Sequence, residues 1–409
     1  MKKNFISVLF CCAVLTPGFA MAEATADAAP AAEPAPVAEP APAAEPVAAP
    51  QAEKELSTWE KVLSKLPKVS GYLQTGWNFT SENGTQKNSF QAKRLRLLVD
   101  GNVGEKVDFR LQIEAFNGIS GSLNGNGQKN LQVMDAFATW KIIPEFKIRA
   151  GQFYTPLGYE NYDISPATLE TVDFSNIVYR IACRNPYQYN FVDYGRDLGI
   201  MFIGDLFDSG KGFRYLHYDV ALTNGQIPMR DDSNKAKDLY VSATVRPIKN
   251  LSIKGTYNYG QYTSQDLAGG TGVGDGLDLQ YQPMNRAVVG AWYNDPNGLD
   301  LRAEYGLMNS SRKIEGKQTD LVKESGAYVF AGWHLGKFLP MLRWDMYNDD
   351  VNKASANNYN RILVGCNYQI FKNLRVQVNY GHFMYSDEFK AAKNYDSSDQ
   401  VQVMAMFKF

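Results

Sequence analysis

The sequence predicts an all-β protein, a transmembrane antiparallel β-barrel of about sixteen strands. Three observations support this fold class. The chain ends in a strand of period two, in which Val401, Val403 and Phe407 alternate with polar or flexible residues up to a C-terminal Phe409. The same alternation recurs from residue 68 onwards, behind an export signal. A barrel closes its last strand on its first, so that no backbone edge meets lipid.

The first 22 residues have the pattern of a secretory signal peptide. Lys2 and Lys3 form the positively charged start, residues 5–15 form a short apolar core, and Ala20-Met21-Ala22 is a small-x-small cleavage site. We therefore expect a mature chain that begins near Glu23 and is exported to the outer membrane of a Gram-negative cell.

Residues 23–53 form an Ala/Pro/Glu-rich linker, whose prolines prevent a regular helix and favour an extended chain. Residues 54–67 carry apolar side chains at spacings of three and four, which predicts a short amphipathic helix ended by Pro67. We interpret this N-terminal part as a periplasmic extension. Two hypotheses remain open: an arm that contacts the cell wall, or a tail whose helix covers the periplasmic mouth of the barrel.

From Lys68 the sequence has the two-residue period of strands that are half exposed and half buried. A clear example sets Leu251 and Ile253 against Ser252 and Lys254. Strands are predicted to start near residues 68, 90, 106, 131, 145, 196, 213, 238, 251, 284, 299, 326, 339, 359, 374 and 399. Tight turns alternate with long loops, which are predicted at residues 81–88, 118–130, 260–283, 309–325 and 386–398. A barrel of this size predicts a water-filled lumen rather than a packed core.

Composition agrees with a barrel better than with a soluble β-sandwich, which is the competing interpretation. The chain has 24 Tyr and 22 Phe, enough for aromatic girdles at both membrane interfaces. No later segment has eighteen consecutive apolar residues, so no helical membrane span is predicted. The net charge of −1 does not point to any class of partner, and nothing in the sequence suggests nucleic acid.

The longest connection, residues 154–194, joins the fifth and sixth predicted strands. It is rich in Tyr, Asn, Asp and Pro and contains Arg180 and Arg184. Connections of this length in compact proteins are usually functional or disordered, and the aromatic content argues against disorder. We expect this loop to fold into the lumen and constrict it.

Two segments beside this loop carry a family resemblance. Gly151-Gln152-Phe153-Tyr154-Thr155-Pro156-Leu157-Gly158, followed by Gly195-Arg196-Asp197-Leu198-Gly199, resembles the phosphate-selective porin O and P family, with Leu157 in place of the usual Phe. The resemblance covers residues 68–409. It implies a trimeric, sixteen-stranded outer-membrane barrel in which arginines and lysines lead anions past an inward-folded third loop. The family's individual anion-site residues do not align with this chain, so its phosphate specificity is not carried over.

Arginines on the inferred lumen face are the candidate site residues. If apolar positions face lipid, the inward positions hold more basic than acidic side chains, and rings of Arg or Lys favour anions in pores. The candidates for the constriction and for anion binding are Arg94, Arg96, Arg149, Arg180, Arg184 and Arg196. The alternative is that wall arginines pair with wall carboxylates and only stiffen the barrel.

The predicted function is passive diffusion of small hydrophilic solutes, with a preference for anions such as phosphate, and without a cofactor. His217, His334 and His382 lie far apart in the sequence, and no nucleophile or metal motif is present, so an enzyme is not predicted. Two alternatives remain. One is a non-selective general diffusion porin; the other is a structural anchor that links the outer membrane to the cell wall through the N-terminal arm.

Overall fold

The computed structural model describes residues 66–115, 131–183, 195–225, 231–232, 235–262, 281–314 and 317–409. Within them, sixteen strands form one closed antiparallel barrel, which confirms the predicted fold class. These strands are β1 Lys68–Glu82, β2 Thr85–Val103, β3 Val107–Glu114, β4 Gln132–Ile143, β5 Phe146–Tyr154, β6 Arg196–Asp208, β7 Arg214–Thr223, β8 Asp238–Ile248, β9 Leu251–Tyr259, β12 Asn285–Asn294, β13 Leu299–Ile314, β14 Lys317–Trp333, β15 Phe338–Asn348, β16 Tyr359–Phe371, β17 Leu374–Tyr385 and β18 Ser397–Lys408. The short strands β10 Gln261–Tyr262 and β11 Gln282–Pro283 form a separate sheet.

Several expectations for the N-terminus concern residues that the structure does not describe. The signal peptide, the linker and nearly all of the helix predicted over residues 54–67 lie outside the described residues. Among the described residues, no helix is long and apolar enough to cross a membrane.

The barrel closes where its last strand meets its first. β18 pairs with β1 in an antiparallel register that runs from Tyr72 opposite Lys408 to Glu82 opposite Ser398. The Gly71 amide donates to the Phe409 carbonyl at 2.9 Å, and the Phe409 amide donates back at 3.0 Å. The C-terminal strand therefore completes the ladder, as its pattern predicts.

The two faces of the strands have opposite chemistry, in the orientation predicted from the alternation. On β9, Ile253 and Tyr257 are about half exposed on the outer face, whereas Lys254 and Asn258 are buried on the inner face. Apolar side chains therefore form the surface that meets lipid, and polar side chains line the interior.

Two of the predicted long loops are wrong, because strands occupy most of their residues. β1 continues to Glu82, and the chain reverses at Asn83 and Gly84, whose φ angles are 48° and 74°. Asn-Gly favours this tight hairpin turn, since both central residues need positive φ. Likewise, most of residues 309–325 belongs to β13 and β14, in a polar hairpin that lacks the apolar alternation used to find strands.

The expected water-filled lumen is only partly correct. An apolar cluster lies inside the barrel, where loop residues pack against the inner face of strands from β6 to β15; it includes Leu157, Ile177, Ile181, Met201, Met284, Val288, Met308 and Met341. A cavity of about 1290 Å³ lies beside strands β2 to β6. The lumen is thus divided between a packed region and an open region.

Candidate pore constriction

The chain that follows β5 turns into the barrel instead of covering it. Its described part, residues 155–183, contains the short helix Tyr159–Tyr162 and the π-helix Ile177–Ala182. Wall side chains accept hydrogen bonds from its backbone: the Tyr159 amide donates to Glu304 Oε1 at 2.6 Å, and the Val172 amide donates to Asn379 Oδ1 at 2.7 Å. The described part of the connection therefore lies inside the lumen, as the length and composition of the connection predict. We call residues 155–183 the constriction loop.

Ion pairs tie the constriction loop to different sides of the barrel. Asp163 pairs with Lys254 at 2.6 Å, and Glu170 pairs with Arg302 at 2.8 Å. A further loop carboxylate, Asp173, pairs with both Lys93 and Arg361. Because these contacts reach β2, β9, β13 and β16, the wall holds the loop from several directions.

Asp173 stays charged in this position. Its burial alone would raise the pKa, but Lys93 and Arg361 favour the carboxylate, and the net result is a pKa below the ordinary value for Asp. Asp173 therefore holds Lys93 and Arg361 as an ionised carboxylate over the whole neutral range.

A narrow cavity of about 150 Å³ separates part of the loop from the wall. The wall contributes four cations, Lys93, Arg94 and Arg96 from β2 and Arg196 from β6. The remaining lining residues are Glu114, Tyr154, Asn161, Phe174, Val178, Tyr179 and Cys183. Three of the six predicted site residues, Arg94, Arg96 and Arg196, thus meet at one place.

These cations differ in their partners. Arg96 Nε donates to Glu114 Oε2 at 2.8 Å, and Arg196 Nε donates to Asp135 Oδ1 at 2.6 Å. Arg94 instead donates to the Gln74 side chain and to the Val172 carbonyl. Among the described residues, Arg94 has no carboxylate partner, so its charge is the least compensated of the three arginines.

The sequence analysis missed Lys93 because of a local break in the strand period. Gln74 pairs with Arg94, but Thr75 pairs with Ala92, so Lys93 is an extra residue in β2. This bulge turns Lys93 into the lumen beside Arg94. Strict alternation would place Lys93 towards lipid, where a lysine is energetically unfavourable. This conflict was the signal in the sequence that could have indicated a bulge.

A family model provides the identity of the chain. The phosphate-selective porin O and P model matches residues 68–409, which are the whole barrel. The chain belongs to this porin family. No curated protein sequence matches it.

Solved structures share the fold of this porin at low sequence identity. The anion-selective porin from Comamonas acidovorans aligns with a TM-score of 0.58 and 15% identity, covering 84% of this chain and 99% of that one. Salmonella typhi OmpF in complex with daunomycin aligns with a TM-score of 0.59 and 18% identity, covering 84% of this chain and 97% of that one. Vibrio cholerae OmpT in a trimer form aligns with a TM-score of 0.51 and 12% identity, covering 84% of this chain and 99% of that one. Together with the family, these similarities indicate a channel of the outer membrane and not an enzyme.

The other predicted site residues of the porin lie apart from the narrow cavity. Arg149 lines the wide cavity, where its Nε donates to Thr139 Oγ1 at 3.1 Å. Arg180 is on the π-helix, with its guanidinium 5.0 Å from the Tyr347 ring centroid on β15. Arg184 lies outside the described residues.

Many wall arginines of the porin pair with carboxylates, as the alternative interpretation expects. Arg110 donates to Asp100 at 2.7 Å on neighbouring strands, and Arg343 donates to Asp345 at 2.8 Å along β15. These pairs reduce the cationic excess inferred from alternation. Three of the four cations at the narrow cavity are paired with carboxylates in the same way, so the cation there without a carboxylate partner among the described residues is Arg94.

Proposed function

We propose that this porin allows passive diffusion of small hydrophilic solutes across the outer membrane, with a preference for anions. The gathering of Lys93, Arg94, Arg96 and Arg196 around one narrow cavity supports this function most strongly. Cationic rings at a pore constriction lower the energy of anions relative to cations. Low polarisability of the surrounding protein strengthens this effect compared with free water.

Phosphate is among the anions that this arrangement suits, because a guanidinium group can bind phosphate through two parallel hydrogen bonds. The family description supports the same preference. We also propose a homotrimer exported with a cleaved signal peptide. The trimer form of Vibrio cholerae OmpT supports the assembly, and the sequence of residues 1–22 supports the export.

Arg94→Gln provides a direct test of the selectivity. Because Arg94 has no carboxylate partner among the described residues, this change removes a charge without exposing an acid. A unit charge at about 4 Å stabilises an anion by about 1 kcal/mol and destabilises a cation by as much even at the dielectric constant of water, so the anion-to-cation permeability ratio should fall about thirtyfold. The measurement is the zero-current potential of reconstituted channels under a potassium chloride gradient.

Arg214→Gln is the matched control. Arg214 pairs with Glu145 at 2.7 Å near a periplasmic turn, so its loss should leave the potential almost unchanged. A wild-type potential near zero would instead indicate a general diffusion porin. The anchor hypothesis concerns residues outside the described ranges, and it stays a prediction.

A further inference from the structure

The narrow cavity has two chemically different sides. Its wall side is cationic, whereas the constriction loop contributes Phe174, Val178 and Tyr179. We propose that this constriction selects organic anions with an apolar ring, such as aromatic carboxylates, over inorganic anions and over small carboxylates without a ring. This inference rests on the proposed anion preference of the pore and specifies the class of anion.

The aromatic rings lie directly beside the guanidinium groups. Phe174 and Tyr179 pack edge to face with their ring centroids 5.9 Å apart, and the Arg94 guanidinium lies 5.1 Å from the Phe174 centroid. The Arg196 guanidinium lies 3.4 Å from the Tyr154 centroid. A carboxylate attached to a ring combines a negative charge with an apolar surface, and so complements a site in which cations and aromatic rings are neighbours. Such an ion can contact both sides of the cavity at once.

Arg96 supplies an unused hydrogen-bond donor at this site. Its side chain is 5% exposed, and its Nε is bound to Glu114. Its Nη1 is also buried, but it has no hydrogen-bond partner among the described residues. A buried donor without an acceptor is unfavourable, so the Arg96 guanidinium keeps bonding capacity that its pair with Glu114 does not use.

The size of the cavity suits a ring. An apolar protein cavity of about 150 Å³ is known to hold benzene. An inorganic phosphate ion would lose hydration against Phe174, Val178 and Tyr179 without burying any apolar surface of its own. An aromatic carboxylate loses hydration only around its carboxylate, and its ring gains from burial.

Block of the chloride current tests this proposal on the full-length porin in planar bilayers. Benzoate, acetate and inorganic phosphate are added in turn at neutral pH. Benzoate should block at about tenfold lower concentration than acetate, since even one methylene group in a hydrophobic pocket changes binding by about that factor. Acetate carries the same carboxylate without the ring, so the comparison isolates the apolar contribution.

Phe174→Ala locates the effect. In this variant, benzoate should block only at the concentration that acetate requires. The zero-current potential in potassium chloride should keep its anion sign. The matched control is Phe389→Ala, because Phe389 is also a half-buried loop phenylalanine stacked on a tyrosine, with its centroid 4.2 Å from that of Tyr385. Its helix, Asp387–Lys393, belongs to the β17–β18 connection, and benzoate block should be unchanged.

The outcomes separate the two proposals. Anion selectivity with equal block by benzoate and acetate would overturn the preference for organic anions and leave the proposed function intact. A potential without anion sign would overturn the proposed function itself. The wild-type comparison of benzoate with acetate decides the matter even if Phe174→Ala assembles poorly.

Discussion

Gly195 is the residue directly before β6, at the end of the connection that starts after β5. Its carbonyl accepts a hydrogen bond from the Thr155 amide at 2.8 Å, so the two ends of the connection meet there. Its φ is +66°, and a Cβ would lie 1.8 Å from Asn161 Oδ1. Asn161 cannot easily move away, because its Nδ2 donates to the Thr155 carbonyl. This position therefore requires glycine for both its backbone angle and its space.

We expect Gly195→Ala to lower the free energy of unfolding by about 2 to 4 kcal/mol, through left-handed backbone strain and displacement of Asn161. Denaturant unfolding in lipid vesicles measures this loss. Gly210→Ala separates the two causes, because Gly210 has φ of +67° but nothing within 4 Å of its Cβ position. Equal losses in the two variants would show that the contact with Asn161 contributes nothing.

At this scale, the sequence predicts the site only as far as strand alternation holds. Arg94 and Arg96 follow the period and Arg196 begins a strand, so all three could be named. Lys93 was missed because a bulge breaks the period, and the bulge depends on pairing with β1. Arg180 was placed near the constriction because it lies in the loop, but the π-helix directs it towards Tyr347.

Among the elements, the constriction loop is held by Asp173 through two ion pairs to different strands. Asp173→Asn should weaken its attachment to Lys93 and Arg361, because the amide has no net charge to attract them. The expected result is stronger fluctuation of the open-channel current in single-channel recordings. Asp396→Asn is the control, since it removes an exposed pair with Lys390 outside the lumen. Equally quiet channels in both variants would mean that the other loop contacts suffice.

The same attachment predicts a pH response of the wild-type channel. The folded pKa of Asp173 lies below its ordinary value, so the contribution of its ion pairs is complete above the unfolded pKa of about 3.9. The contribution of Asp173 to loop attachment should therefore stay constant from neutral pH to about pH 5 and weaken only as the pH falls towards the lower, folded pKa. Current fluctuation recorded as a function of pH measures this. An increase near pH 6 that appears in the wild type but not in Asp173→Asn would contradict the role of Asp173.

The elements also show which strands a sequence pattern can find. Strands with an apolar outer face were predicted close to their observed starts, because lipid requires that face. The strands that end at Glu82 and Ile314 continue past the part that faces lipid. Their polar end residues show no apolar alternation. The Asn83-Gly84 turn was the remaining local signal for the first of them.

For the whole molecule, the closing seam makes a specific demand on Gly71. A Cβ at Gly71 would lie 2.5 Å from Phe409 Cζ and 2.6 Å from the Arg96 carbonyl oxygen. Gly71→Val should therefore reduce the yield of folded barrel, with an overpacking cost of about 1 to 3 kcal/mol. The heat-dependent shift in electrophoretic mobility measures that yield. Gly255→Val is the control, since nothing lies within 4 Å of its Cβ position, and an equal loss there would refute a special role for the seam.

The whole barrel was predictable because its two-residue period and its final strand can be recognised in the sequence. The filling of the lumen was not, since it depends on how one loop packs against strands distant in sequence. Met201, Met284, Met308 and Met341 lie on the inner face and pack around that loop. Their inward positions could have suggested a packed region, because an apolar side chain gains little from facing water.

The pairing of β1 with β18 also determines when the molecule can fold. The strand that pairs with the first is the last of the barrel strands along the chain, so no shorter set of these strands can close the cylinder. Such non-local contacts slow folding, because the two ends must meet before the contacts between them become favourable. Until then, both unpaired edges stay exposed to aggregation. The position of β18 thus delays closure until all sixteen barrel strands are available.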